Sequence, residues 1–157
     1  MLTVIGCGNL NRSDDGVGVI VARMLLEIFQ GKAPKNTQIF DAGTDGMGVM
    51  FKARGSRSLI IVDAGNTGSE PGTVFEVPGH EMEGKPPDSY NLHDFRWDHA
   101  LYAGRKIFKD DFPADIQVFL IEAKSLELGL ELSQEAVAAA EIVTSKIAER
   151  LKNYARE

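Results

Sequence analysis

Residues 1–23 read MLTVIGCGNLNRSDDGVGVIVAR and predict the opening unit of the fold. The apolar, β-branched run at residues 2–5 is typical of a buried strand, and the glycines at positions 6 and 8 predict a tight turn after it. Apolar residues then recur at helical spacing from residue 17, which predicts a helix over about residues 14–29. A strand, a glycine turn and a helix in this order favour an α/β protein with a mostly parallel sheet.

The rest of the chain repeats this alternation. Further strands are predicted at residues 37–40, 58–62, 72–77 and 116–121. Three further helices are predicted: a short one that ends at about residue 54, one over about residues 94–108, and one that begins after Ser133. The run SLIIV at 58–62 is apolar throughout its last four positions, as expected for a central strand buried on both faces. Residues 72–77 alternate like an edge strand, and residues 78–90 are typical of a surface loop. We therefore predict a single domain over residues 1–157, a three-layer α/β/α sandwich with a mostly parallel five-stranded sheet and one antiparallel edge strand.

Composition excludes several classes of protein. The net charge is -6, with Lys+Arg 17 against Asp+Glu 23, so a nucleic-acid partner is not expected. No apolar stretch approaches the roughly 18 residues of a membrane helix. The N-terminus also carries no signal-peptide pattern, and we predict a cytoplasmic protein without membrane contact. The single cysteine, Cys7, excludes an intrachain disulfide and is expected to be buried in the glycine turn.

The glycine turn invites a nucleotide-binding interpretation, which the next residues argue against. A dinucleotide fingerprint needs a third glycine where Asn11 stands, and no P-loop GK[ST] is present. Asp14 and Asp15 at the start of the helix would also repel a phosphate. Both carboxylates could simply complement the helix dipole. Alternatively, Asp14 caps the helix while Asp15, about 100° further round, projects into a cleft.

A second carboxylate and a histidine are predicted at the same edge of the sheet. In such sheets, ligands bind beyond the carboxyl ends of the strands. Asp63 directly follows SLIIV, where an uncompensated charge is costly, although it could also cap the AGNTG turn. His93 precedes the third helix, whereas His80 is expected to be solvated and His99 to face another way. Asp15, Asp63 and His93 therefore form a candidate divalent-metal triad, whose mixed N/O donors suit nickel, zinc or iron better than magnesium.

Four motifs in order make the sequence similar to one family. They are GCGN at 6–9 with DDGVG at 14–18, DAGTDG at 41–46, VDA at 62–64, and Ser89, His93 and Leu101 near the third helix. Together they resemble the hydrogenase maturation proteases over nearly the whole chain. The resemblance implies an endopeptidase that removes the C-terminal extension of a nickel-iron hydrogenase large-subunit precursor after nickel insertion.

The resemblance also implies roles for individual residues. It implies that the metal ligands and catalytic residues are Asp15, Asp63 and His93. It associates substrate recognition with Asp41, Gly43 and Thr44. The nickel is expected to arrive with the precursor, and no organic cofactor is expected.

The sequence leaves three questions open. The first is whether the loop around His93 is shifted relative to the family. Many relatives have serine two residues before the histidine, whereas Asn91 stands there in this chain and Ser89 lies four before it. The metal could polarise the carbonyl, activate water or only position the strand, and a carboxylate base is equally compatible. A non-catalytic precursor-binding domain on the same fold is the alternative function. A nucleoside-type hydrolase or phosphorylase is disfavoured, because the first loop offers no basic phosphate pocket.

Overall fold

The computed structural model describes residues 1–85 and 95–157. Within these ranges the strands form one five-stranded sheet. The strands are β1 (Leu2–Cys7), β2 (Thr37–Gly43), β3 (Ser58–Gly65), β4 (Val74–Pro78) and β5 (Asp115–Glu122). The α-helices are α1 (Val17–Ile28), α2 (Gly46–Ala53), α3 (Trp97–Phe108) and α4 (Gln134–Ala155).

The strands lie in the order β2-β1-β3-β5-β4. Strands β2, β1, β3 and β5 run parallel to one another, and β4 pairs antiparallel with β5 at the edge. This arrangement confirms the predicted mostly parallel sheet with one antiparallel edge strand. The chain leaves β1 toward β2 on one side and later returns to β3 on the other. The strand order therefore reverses between β1 and β3, which opens a crevice at their carboxyl ends.

Both faces of the sheet are covered, because alternate residues of each central strand enter different cores. Val4, Ile60 and Val62 pack with α1 and α4 in one core. Ile5 and Ile61 pack with α2 and α3 in the other. A strand buried on both faces must be apolar at successive positions, which is the pattern that SLIIV carries. The three predicted layers are confirmed.

The first helix begins later than the sequence pattern predicts. A 3-10 turn at Ser13–Gly16 precedes α1, which starts at Val17. A Cβ atom at Gly18 would collide with the carbonyl oxygens of Cys7 and Val62, so α1 rests directly on the ends of β1 and β3. The close approach places the turn over the carboxyl edge of the sheet.

None of the helices in residues 1–85 and 95–157 is long and apolar enough to cross a membrane. The cytoplasmic location and the single domain stay predictions.

Candidate active site

A cleft of about 600 Å³ lies at the carboxyl edge of the sheet, over the crevice between β1 and β3. The loops that follow β1, β2 and β3 form its walls, together with the start of α3 and the loop after β5. The polar residues that line it include Asp15, Thr44, Asp45, Asp63, Asn66 and Arg96. Two of the three predicted metal ligands, Asp15 and Asp63, therefore share one cleft.

Asp63 lies two residues before the end of β3, and both of its carboxylate oxygens accept hydrogen bonds. The indole N–H of Trp97 donates to Oδ2 at 2.6 Å, and the backbone N–H of Ala64 donates to Oδ1 at 2.8 Å. Burial raises the pKa of Asp63 to about 7 although these two bonds favour the ionised form. The charge of Asp15 raises the pKa further, and Arg96 opposes it. Asp63 can therefore take up or release a proton near neutral pH.

Asp15 is held by the glycine turn after β1. Its Oδ2 accepts the backbone N–H of Asn9 at 3.0 Å. Gly8 has a φ of 138°, and a Cβ atom at this position would collide with the carbonyl oxygen of Asp15. The turn can therefore fold back against Asp15 only with glycine at position 8. The role of the GCGN motif is to place a carboxylate in the cleft.

Asp14, in contrast, has its carboxylate buried beneath the loop that follows β5. The residue is 1% exposed, and its oxygens accept the N–H of Lys124 at 2.8 Å and the N–H and O–H of Ser133, each at 2.7 Å. The prediction that Asp14 caps its own helix is wrong. The residue anchors the loop after β5 and the start of α4 instead, because three donors converge on it from distant sequence.

The predicted substrate-recognition residues divide between two neighbouring pockets. Gly43 and Thr44 line the main cleft and also a second pocket of about 430 Å³. Asp41 lines only the second pocket, where Oδ2 lies 3.3 Å from Nε of Arg23 and Oδ1 accepts the N–H of Gly43 at 3.1 Å. Asp41 therefore shapes the end of β2 beside the cleft rather than the cleft itself.

Of the three histidines, His93 lies outside the described residues, as do Ser89 and Asn91. His80 is exposed, as predicted. The Nδ1 atom of His99 accepts the N–H of Arg96 at 3.1 Å, so its ring closes the first turn of α3. The part of the chain that the structure describes holds no group of three His, Cys, Asp or Glu side chains placed to bind a metal.

The metal triad thus stays a prediction that depends on His93. The two described carboxylates nevertheless fit a cation chemically. They line the same cleft, and the charge of Asp15 disfavours ionisation of Asp63. A divalent cation between them would relieve this repulsion.

Trp97 is the cleft residue that sequence reasoning missed. It is the single tryptophan of the chain, is 5% exposed and donates its N–H to Asp63. A signal was present, because a buried indole needs an acceptor and Trp97 begins the helix after His93. Cys7 is buried, as predicted. Burial together with the charges of Asp63 and Asp41 raises the pKa of the Cys7 thiol well above its usual value, so the thiol stays protonated.

The fold and the cleft define the class: a doubly wound α/β protein with a carboxylate pair at its topological switch point. A family model described as hydrogenase maturation protease matches residues 19–150. The chain belongs to the hydrogenase maturation protease family.

Individual relatives agree with this assignment. The coenzyme F420 hydrogenase subunit delta of Methanothermobacter thermautotrophicus is 35% identical over 105 residues, which are 64% of this chain and 65% of that protein. The hydrogenase 2 maturation protease of Escherichia coli is 27% identical over 139 residues, covering 87% of this chain and 82% of that one. The solved structure of the hydrogenase maturating endopeptidase HybD from Escherichia coli shares the fold, with a TM-score of 0.79 at 24% identity over 98% of this chain and 93% of that one. The match to the coenzyme F420 hydrogenase subunit delta spans just under two thirds of the length of that protein.

Proposed function

We propose that the chain is an endopeptidase that removes the C-terminal extension of a nickel-iron hydrogenase large-subunit precursor after nickel insertion. Membership of the family supports the reaction class. The names of the relatives, which refer to hydrogenases, support the kind of substrate. The observation that carries the proposal is the position of Asp63, whose carboxyl group lies in the cleft near the end of the central strand and has a pKa near neutrality.

Nickel enters this proposal as part of the substrate. Asp15, Asp63 and His93 would complete the coordination of an ion that the precursor already holds. A site with few protein ligands binds a free ion weakly. It binds well once the precursor brings further ligands and a high effective concentration. The chain would therefore recognise a loaded precursor and leave an empty one uncut.

The chemistry asked of the chain is proton transfer. Hydrolysis of a peptide bond needs a group that removes a proton from water and a group that returns one to the leaving amine. A carboxyl group with a pKa near 7 serves both steps at neutral pH, and Asp63 has this property. Bound nickel would add positive charge beside the scissile carbonyl.

The experiment is intact-mass spectrometry of the precursor from the same source, nickel-loaded or nickel-free, before and after the protein is added. Loss of one C-terminal peptide from the loaded sample alone is expected. The Asp63→Asn variant should leave the mass of the nickel-loaded precursor unchanged. Asp115→Asn, at an exposed carboxylate near the opposite end of the strands, should cleave normally. Cleavage of both precursor samples would contradict nickel recognition, and a stable complex without mass loss would favour a binding protein.

A further inference from the structure

The loop between β5 and α4 carries leucine at every second position, and its two middle leucines face solvent. We name residues 125–132 the leucine loop; its leucines are Leu126, Leu128, Leu130 and Leu132. Leu128 is 79% exposed and Leu130 is 80% exposed, more than any other large apolar side chain in residues 1–85 and 95–157. Leu126 lines the cleft, and Leu132 packs against the core beneath α4.

This exposure belongs to a loop that is fixed in place. Gly129 donates its N–H to the carbonyl of Asn11 at 2.9 Å, and its own carbonyl accepts the N–H of Ser13 at 2.8 Å. The Ser13 hydroxyl donates to the carbonyl of Glu127 at 2.8 Å, and Arg12 Nε donates to the carbonyl of Leu126 at 3.1 Å. The two leucines are therefore held outward before any partner arrives, which lowers the entropy lost on binding.

The position of the leucine loop indicates what would cover it. The loop continues outward from the wall of the cleft, because Leu126 lines the cleft and Leu128 and Leu130 follow it along the chain. A cleft of about 600 Å³ is the size of a small-molecule site. A specific protein partner typically buries about 800 Å² on each side. A protein substrate of this cleft must therefore make most of its contacts on the surface around it.

We propose that Leu128 and Leu130 dock an apolar patch on the folded body of the hydrogenase large-subunit precursor, next to the segment that enters the cleft. The proposal rests on the proposed function. The exposed Glu127 and Glu131 flank the two leucines, so the complementary surface is an apolar patch with basic residues at its edge. Docking through this loop adds affinity for the precursor and leaves the cleavage step unchanged.

The test compares two double variants in steady-state cleavage of the nickel-loaded precursor. Leu128→Ser/Leu130→Ser is expected to raise KM, and the Kd of the precursor measured by titration, by about tenfold for each leucine. The kcat value should stay within about twofold, since the cleft is untouched. The matched control Ile107→Ser/Ile142→Ser changes two exposed isoleucines on α3 and α4. Its KM and Kd should stay at the wild-type values.

Several results would overturn the docking role. The docking role is refuted if the Leu128→Ser/Leu130→Ser variant still cleaves with unchanged KM and Kd. It is also refuted if KM and Kd rise equally in the control variant. Conversion of a wild-type dimer to a monomer at unchanged KM would assign the leucines to a second copy of the chain. If the double variant loses its thermal transition, Leu130→Glu tests the same contact with one substitution, and unchanged KM there would have the same meaning. Wild-type protein that neither binds nor cleaves the precursor would refute the proposed function itself.

Discussion

Replacing Asp63 with asparagine is expected to stabilise the folded protein at neutral pH while it abolishes cleavage. The pKa of Asp63 is about 7 in the folded protein, against an ordinary value of 3.8. Between these two pH values the folded state binds more protons than the unfolded state. The free energy of unfolding therefore falls as the pH rises through this window, and it levels off above about pH 8.

The size of the effect follows from the same two pKa values. A difference of about three pKa units corresponds to about 4 kcal/mol. Asparagine carries no charge, so the variant avoids this loss. Its amide NH₂ faces one of the donors that bind Asp63, the indole of Trp97 or the N–H of Ala64, which costs about 1–2 kcal/mol. The variant should thus be slightly less stable than wild type at pH 4 and about 2–3 kcal/mol more stable at pH 8.

Urea unfolding of both proteins at several pH values between 4 and 8 measures this difference. Groups that titrate equally in the two proteins cancel in the comparison. The Asp115→Asn variant is the control, because Asp115 is exposed near the opposite end of the strands. A pH-dependent difference of the same size in this control would show that the effect is not specific to Asp63. A pH-independent difference for Asp63→Asn, or a variant that loses stability relative to wild type as the pH rises, would refute the argument.

Four further outcomes are expected. Asp15→Asn should abolish precursor cleavage in the mass assay and change the urea midpoint little. Asp14→Asn should cost about 1–3 kcal/mol in urea unfolding, because the amide NH₂ replaces one carboxylate oxygen and leaves at least one of the three donors without its acceptor; equal stability of the two variants would contradict their separate roles. Gly18→Ala should lower the thermal midpoint by several degrees, because its Cβ meets two strand carbonyls. A large excess of Ni²⁺, needed because the site alone binds a free ion weakly, should change the fluorescence of Trp97, the single tryptophan, in wild type and not in Asp63→Asn; identical responses would place the ion elsewhere.

The sequence was sufficient to predict the sheet and two cleft carboxylates because both depend on local pattern. Apolar runs and helical spacing define the order of strands and helices. The carboxyl ends of neighbouring parallel strands must meet at one edge. Asp15 follows β1, and Asp63 lies near the carboxyl end of β3, which is the neighbour of β1. Their meeting in one cleft was therefore predictable without any knowledge of side-chain contacts.

The remaining features depend on contacts that no local pattern encodes. The donors to Asp14 lie 110 and 119 residues further along the chain. From its neighbours alone, Asp14 resembles an ordinary helix cap. The bond from Trp97 to Asp63 likewise joins residues 34 positions apart, and it depends on how α3 packs. The exposure of Leu128 follows from the backbone pairing of the leucine loop with residues 11–13. The alternating pattern of the leucine loop would by itself indicate a strand.

The anchoring of Asp14 has a consequence for the order in which the molecule is built during synthesis. β1, α1, β2, α2 and β3 are complete by residue 65 and can pair with one another on the ribosome. The donors that hold the turn carrying Asp15, however, belong to residues 124 and 133. The wall that Leu126 forms also arrives only with that part of the chain. A nascent chain of that length therefore carries β1, β2 and β3 with two helices and an unfinished cleft, and the site closes only when translation has passed the start of the last helix.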